Sequence, residues 1–180
     1  MEQTLYIDRH YSLVEACKRG DRKAQYELYR LYSKSMFNVC MRILNHMGEA
    51  EDVLQEAFLD AFQKIHDFRQ TSTFGAWLKQ IVVNRAINQL RQRKLEWVDV
   101  EEADSVGEEV SIPQEETDWE IERVRLGIQQ LPDGFRTVLS LYLLEGYDHE
   151  EIANILNISE STSRTQYMRA KRKLVELLTE

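Results

Sequence analysis

The sequence predicts an all-α protein of two small helical domains joined by an acidic extended linker. Its 180 residues include only 7 Gly and 2 Pro, too few for the many turns of a β-rich fold. Apolar residues recur every three to four positions in both halves, as in amphipathic helices. Residues 96–122 hold 12 acidic residues and no Lys or Arg, which leaves 19 acidic against 23 basic residues elsewhere. This acidic segment therefore divides the helical pattern into two parts.

The first predicted domain covers residues 1–95 and consists of amphipathic helices. A break at 19–21 separates the first two, with Asp21 as the N-cap of the second. A further helix starts near Gly48. Its apolar face is expected to bury Val53, Leu54, Ala57, Phe58, Ala61, Phe62 and Ile65. The opposite face carries Asp52, Gln55, Glu56 and Asp60, a polar surface without catalytic geometry.

A polar loop, 69–73, precedes the next predicted helix. The buried face of that helix is predicted to contain Phe74, Trp77, Leu78, Ile81, Val82, Ala86 and Leu90. One stripe on its other side carries Asn84, Asn88, Arg91 and Gln92. Amides can address base edges and cations can meet phosphates, while Phe68, Phe74 and Trp77 offer stacking surfaces. An ordinary amphipathic helix with a polar outer face fits the same pattern.

The predicted linker covers residues 96–119, and the second domain covers 120–180. The linker contains Gly107 and Pro113 and lacks sustained helical periodicity, so its carboxylates favour an extended chain. It serves either as a solubilising tether or as a polyanion that occupies a basic groove of a partner. The second domain reads as four helices, broken at 131–134, 145–148 and 157–159.

The last two helices form a predicted helix-turn-helix. Asp148 is the expected N-cap of the first, which buries apolar residues up to Leu156, and the turn at 157–159 leads into the second. In such units the second helix enters the major groove. There Arg164 can fork onto a guanine, while Arg169 and the 171–173 run hold phosphates. The alternative is a solvated terminal helix whose cations complement the helix dipole.

Several classes of protein find no support in the sequence. Cys17 and Cys40 lie in apolar helical patterns without C-x-x-C spacing, so we expect two reduced core thiols. The four histidines are scattered, and no metal site, phosphate loop or nucleophile elbow is present. We therefore expect no cofactor, no metal and no enzymatic activity. No apolar run approaches the roughly 20 residues that span a bilayer, which predicts a cytoplasmic protein without membrane insertion.

Together, the run 49–94, the acidic linker and the run 131–174 resemble the extracytoplasmic-function (ECF) sigma factors of bacteria, from about Tyr11 to Leu178. The resemblance implies a transcription initiation factor that binds core RNA polymerase, recognises the -10 and -35 elements of promoter DNA and promotes DNA opening. It also implies that the acidic linker threads through basic channels of the polymerase and that an anti-sigma factor binds the protein.

The resemblance assigns roles to individual residues. In the family the Asp-x-x-Gln-Glu face binds polymerase, which here implies Asp52, Gln55 and Glu56. For the -10 element it implies Phe68, Arg69, Gln70, Thr71, Ser72, Thr73 and Asn84, and the polar stripe adds Asn88 and Arg91. For the -35 element it implies Thr162, Arg164, Thr165, Met168 and Arg169, and the basic run adds Arg172. The family often has Gly-Thr-Val where this chain has Ser161, Thr162 and Ser163. The resemblance therefore does not predict which -35 sequence this chain recognises.

Two other classes of protein fit the same helical pattern. A two-domain helix-turn-helix repressor or activator would bind duplex DNA tightly without polymerase, usually as a dimer on two half-sites. A helical adaptor between proteins would show no dependence on DNA. Co-purification with core polymerase distinguishes the three.

Overall fold

A computed structural model of the protein describes residues 8–96 and 119–179, with the side chains of 94–96 left out. Most of the predicted linker, 97–118, lies outside the described residues. The described residues contain helices and no strand, which confirms the all-α prediction. The helices are α1 Tyr11–Lys18, α2 Arg22–Leu44, α3 Met47–Gln63, α4 Phe74–Glu96, α5 Trp119–Gln129, α6 Asp133–Leu143, α7 His149–Leu156 and α8 Glu160–Thr179.

The helix boundaries follow from local chemistry. Asp21 caps α2 as predicted, because its carboxylate accepts hydrogen bonds from the backbone N–H groups of Lys23 (2.8 Å) and Ala24 (3.3 Å). Asp148 caps α7 and forms a reciprocal capping box with Glu151. The cap of α3 was not predicted: the imidazole Nδ1 of His46 accepts a hydrogen bond from the N–H of Glu49 at 3.2 Å.

Helices α1 to α4, the first helical unit, pack around a common apolar core. The predicted buried face of α3 is confirmed from Val53 to Ala61, and Ile65 is buried in a short 3₁₀ turn after that helix. On α4 the buried surface is wider than the predicted stripe, since Val83 and Ile87 are also buried. Helix α4 packs mainly against α2 and α3 and also contacts α7. Cys17 and Cys40 are buried and unpaired, as predicted.

Two of the aromatic residues predicted to offer stacking surfaces are core residues. Phe68 is 3% exposed and Phe74 is fully buried. Their rings meet edge to face, with centroids 5.8 Å apart, and each also contacts Trp77. This prediction was wrong because the aromatic residues beside the loop bury one another. Phe68 therefore has no exposed face for a base.

Helices α5 to α8, the second helical unit, have a small core of their own. It consists of Leu131, Leu139, Ala170 and Leu174. Helix α5 approaches α8 closely at Gly127, where an added Cβ would lie 2.8 Å from a methyl of Leu174. The two units also touch, because α6 packs against α2, and Val138, Leu141 and Ile152 join the core of the first unit. Within the described ranges, no helix has the length and apolar character that crossing a membrane requires.

Candidate nucleic-acid and partner interfaces

Most of the polar face of α3 is exposed, and Asp60 near its end is half-buried. Asp52, Gln55 and Glu56 all face solvent, while the residues between them anchor the helix in the core. Glu56 accepts a hydrogen bond from Arg85 Nη1 at 2.9 Å, and Arg85 Nε donates to Asp60 at 2.7 Å. The guanidinium of Arg85 therefore joins α4 to this face instead of standing as an isolated cation.

A shallow groove borders this face, between α2 and α3. Its lining consists of Tyr29, Ser33, Lys34, Phe37, Glu51, Leu54 and Gln55. Gln55 belongs to both the groove and the polar face, so the two surfaces are continuous. The groove was not predicted, because the exposure of Tyr29 on α2 becomes apparent only in the folded structure. Together the surfaces offer a partner both apolar and polar contacts.

The loop 69–73 is held at both ends by residues from distant parts of the chain. Thr73 caps α4, with its Oγ1 accepting a hydrogen bond from the Ala76 N–H at 3.1 Å. The buried carboxylate of Asp8 accepts a hydrogen bond from the N–H of Phe74. On the other side, Lys18 Nζ donates to the carbonyl of Phe68 at 3.5 Å. Neither Asp8 nor Lys18 was predicted to support the loop, because both contacts join residues that are far apart in the sequence.

Within the loop, the side chains differ in how they are held. Gln70 has a positive φ of 58°, and its side-chain amide donates to Glu15 at 3.4 Å. Ser72 is half-buried, whereas Arg69 and Thr71 are exposed. The arrangement presents Arg69 and Thr71 at the surface of a braced loop.

The predicted stripe on α4 faces solvent beside this loop. Asn84, Asn88 and Arg91 are exposed and lie at i, i+4 and i+7. The side-chain amides of Asn84 and Asn88 have no hydrogen-bond partner among the described residues. Arg91 differs, because its Nη2 donates to the carbonyl of Ile155 on α7 at 3.1 Å. The two amides are thus available to a ligand, and Arg91 is engaged by the second unit.

The helix-turn-helix is set by contacts between α7 and α8. Ser163 is fully buried, and its hydroxyl lies 2.9 Å from Nδ1 of His149. The rings of Tyr142 and His149 are stacked with centroids 4.6 Å apart, and Tyr167 contacts both. Ser163 occupies a position where the family that this sequence resembles often has valine. Its buried hydroxyl is tolerated because His149 supplies a polar partner. The pair of His149 and Ser163 was not predicted from the sequence.

The outer face of α8 presents every residue predicted for the -35 element. Thr162 is exposed near the start of the helix, where Ser159 Oγ accepts a hydrogen bond from its N–H at 3.0 Å. The others line one shallow depression: Arg164, Thr165, Met168, Arg169 and Arg172. Arg164 pairs with Glu160 one turn earlier. Both side chains are exposed, so this pair is weak and a ligand can replace it.

Burial accounts for the altered acidity of several groups. It raises the pKa of Cys17 to about 11 and that of Cys40 to about 12. Burial, followed by the charge of Glu145, raises the pKa of Tyr147 to about 12. The described residues contain no group of three or more side chains arranged to hold a metal ion.

Comparisons with known proteins match both halves of the chain. Residues 28–96 match the Sigma-70 region 2 family, and residues 121–174 match the Sigma-70 region 4 family. The chain is 33% identical to the RNA polymerase sigma-H factor of Pseudomonas aeruginosa, over 95% of this chain and 94% of that protein. It is 30% identical to the ECF RNA polymerase sigma factor SigW of Bacillus subtilis, over 89% and 92%.

Solved structures share the fold. The sigma factor RpoE, solved with the anti-sigma factor NepR from Bartonella quintana, gives a TM-score of 0.65 at 22% identity, over 86% of this chain and 96% of that chain. CnrH, solved with the cytosolic domain of CnrY, gives 0.58 at 23% identity, over 96% and 98%.

Proposed function

Because this chain belongs to the ECF RNA polymerase sigma factors, we propose that it binds core RNA polymerase, directs it to specific promoters and promotes DNA opening there. The observation that carries the proposal is the pairing of two surfaces in one chain. One unit presents free amides beside a braced loop, and the other presents a basic, exposed helix-turn-helix face. We assign these roles to domains 1–95 and 120–180, with 96–119 as the acidic linker.

Docking on polymerase is assigned to α3. Asp52, Gln55 and Glu56 form an acidic and amide face on a helix whose other side is fixed in the core. The groove beside Gln55 adds apolar surface next to the charges. A partner that fits both is a helical segment with basic and apolar residues, since charged rims with an apolar centre are typical of specific interfaces.

Recognition of the -10 element is assigned to the loop 69–73 together with Asn84 and Asn88 of α4. A base that has left the stack exposes its hydrogen-bonding edge, and an amide offers both a donor and acceptors to it. Arg69 and Thr71 are exposed on the braced loop and lie before the same helix. Phe68 is a core residue, so we assign it a supporting role: it packs against Phe74 and Trp77 and anchors the start of the loop.

Recognition of the -35 element is assigned to α8. Arg164 lies one turn into the helix and suits a guanine edge, while Arg169 and Arg172 continue the same face and suit phosphates. Thr165 and Met168 lie between them and suit apolar or polar contact with bases. Seating on DNA requires Arg164 to leave Glu160, which the exposure of both side chains makes inexpensive.

An anti-sigma factor is proposed as a further partner, since the two solved structures of similar fold include NepR and CnrY. We place the protein in the cytoplasm, where bacterial transcription takes place. In this role it is an initiation factor, and catalysis of RNA synthesis belongs to the polymerase.

Reconstitution with purified core RNA polymerase tests the proposal. We expect a complex on size exclusion and, on a promoter library, transcripts that core polymerase alone does not make. Tight binding to a single duplex without polymerase, with no complex and no transcripts, would instead support a helix-turn-helix repressor.

A further inference from the structure

The first turn of α4 has a hydrogen-bond acceptor that comes from outside the helix. Thr73 is the local cap, and its Oγ1 accepts a hydrogen bond from the N–H of Ala76 at 3.1 Å. A cap of this kind reaches the second or third amide of a helix, so the N–H of Phe74, the first residue, needs another acceptor. The carboxylate of Asp8 supplies it. Asp8 therefore completes the cap of α4 from 66 residues away in the sequence.

Asp8 is itself held in place by its surroundings. It is 4% exposed, and its other carboxylate oxygen accepts a hydrogen bond from the N–H of His10 at 2.7 Å. Nδ1 of His10 lies 2.8 Å from the hydroxyl of Tyr32. The ring of Tyr32 in turn meets that of Phe74 edge to face, with centroids 5.4 Å apart. A carboxylate is also favoured at the positive end of a helix dipole. These residues thus form one cluster where the loop 69–73 enters α4.

Two residues of α1 hold the start and the middle of the loop. Lys18 Nζ donates to the carbonyl of Phe68, just before the loop, at 3.5 Å. Glu15 accepts a hydrogen bond from the side-chain amide of Gln70, inside the loop, at 3.4 Å. Both distances are at the long end of the range for hydrogen bonds. Glu15 and Lys18 also pair with each other at 3.1 Å, which keeps both side chains beside the loop.

The backbone of Gln70 explains why the middle of the loop needs a support. Its φ of 58° lies in the left-handed region, which is unfavourable for a residue with a Cβ. Such a conformation persists only when neighbouring contacts fix it. Glu15 supplies one contact by binding the half-buried side chain of Gln70, whereas Arg69 and Thr71 on either side are exposed. The directions of these two exposed side chains thus depend on the turn at Gln70.

We propose that the segment 8–18 is a positioning element for the loop 69–73 and thereby sets base preference in the -10 element. Asp8 fixes the end of the loop, and Glu15 fixes the turn at Gln70. A loop that is fixed before DNA arrives accepts an unstacked base in one pose, so a wrong base loses contacts instead of finding a new arrangement. The support of the loop is a property of the free chain, and its effect on base preference rests on the proposed function.

Hydrogen–deuterium exchange of the free, full-length chain tests the support. We expect the backbone amides of 69–75 to exchange about tenfold faster in Asp8→Ala and in Glu15→Ala, because each variant removes an acceptor, while the amides of α3 keep their rates. Asp8→Asn keeps an acceptor oxygen and should exchange more slowly than Asp8→Ala. The side chain of Glu15 is 31% exposed, so Glu15→Ala decides the test if Asp8→Ala does not fold.

Glu27→Ala is the matched control for Glu15→Ala. Glu27 pairs with Arg30 at the same i, i+3 spacing and at nearly the same distance, 3.0 Å, but both side chains are exposed on α2. Removal of this pair should change neither the exchange of the loop nor base preference. Wild-type exchange of the loop in folded Glu15→Ala, or equally fast exchange in Glu27→Ala, would overturn the proposal.

Transcription with core polymerase, from libraries randomised in one element at a time, tests the effect on base preference. We expect Asp8→Ala and Glu15→Ala to lower discrimination against wrong bases in the -10 element by about tenfold, since one good base contact is worth about 5- to 150-fold. The -35 profile should stay unchanged. Asp8→Asn should restore most of the -10 preference. A variant that only destabilises the fold would lower transcription from every promoter alike.

The outcomes separate the loop support from the proposed function. Wild-type -10 preference in variants whose loops exchange faster, or an equal change of preference in both elements, would overturn the assignment of base preference to the segment 8–18. If exchange changes as expected and no form, the wild type included, supports transcription with core polymerase, the loop support stands and the proposed function fails.

Discussion

Replacement of Glu56 by lysine is expected to weaken binding to core RNA polymerase by about 30-fold or more while the protein remains folded. Glu56 lies on the outer face of α3, and its side chain is 57% exposed. Its contact in the described structure is the ion pair with Arg85, at 2.9 Å. The substitution therefore affects the fold only through this pair.

The cost to the fold is small. An exposed ion pair contributes about 0.2 to 1 kcal/mol, and Arg85 keeps its better buried partner, Asp60. A loss of about 1 kcal/mol lowers the melting temperature of a domain of this size by about 4 to 8 °C. A charged contact at the centre of an interface is worth about 2 kcal/mol or more, which corresponds to about 30-fold in Kd.

Binding of the labelled protein to core polymerase, followed by fluorescence anisotropy, measures this loss, and circular dichroism measures the fold. Glu27→Lys is the matched control, because Glu27 pairs with Arg30 at 3.0 Å on the exposed face of α2 and the change in charge is the same. If folded Glu56→Lys binds at wild-type strength, or if Glu27→Lys loses as much affinity, α3 is not the docking face.

Three further predictions concern the linker, the thiols and α7. Deletion of 98–114 removes six carboxylates, whose charge opposes the basic helices, and should raise the nonspecific affinity of the free protein for duplex DNA at low salt. Equal affinity of the two proteins across a salt series would exclude masking of the basic helices by the linker. Cys17 and Cys40 should not react with an aromatic disulfide reagent at pH 8 until the protein unfolds, because pKa values of about 11 and about 12 leave about a thousandth or less of each thiol as thiolate. Rapid reaction of either thiol in the folded protein would contradict this prediction. Asp148→Ala should cost about 1 kcal/mol of unfolding free energy in chemical denaturation, whereas Asp148→Ser, which keeps an acceptor, should cost less; equal losses would argue against the cap.

Features governed by neighbours in the sequence were predictable. Asp21 and Asp148 cap helices because their carboxylates reach N–H groups two or three residues on. The three-to-four-residue spacing of apolar residues on α3 predicted both its buried face and its exposed residues Asp52 and Gln55. The helix-turn-helix followed from a cap, an apolar face and a turn, which ends α7 at Asn157 with a φ of 55°.

Features that depend on distant residues were not predictable in this way. Phe68 lies before a polar loop, and its burial results from tertiary packing with Phe74 and Trp77. An arginine in the position of Arg136 looks like an ordinary helix residue until α2 supplies carbonyls from 93 and 94 residues away. Propensity and periodicity carry no information about such pairings.

The most direct test of two separate DNA readers is transcription from promoter libraries randomised at one element at a time. Each variant is assayed with core polymerase, and Arg172→Ala serves as the control for a contact with phosphate. We expect Asn84→Ala to impair opening and change preference only in the -10 element. Arg164→Ala should cost about 1 to 3 kcal/mol on the preferred -35 sequence and relax discrimination at one position, whereas Arg172→Ala should weaken binding evenly. Identical preference profiles for the Asn84 and Arg164 variants would contradict the assignment of two readers.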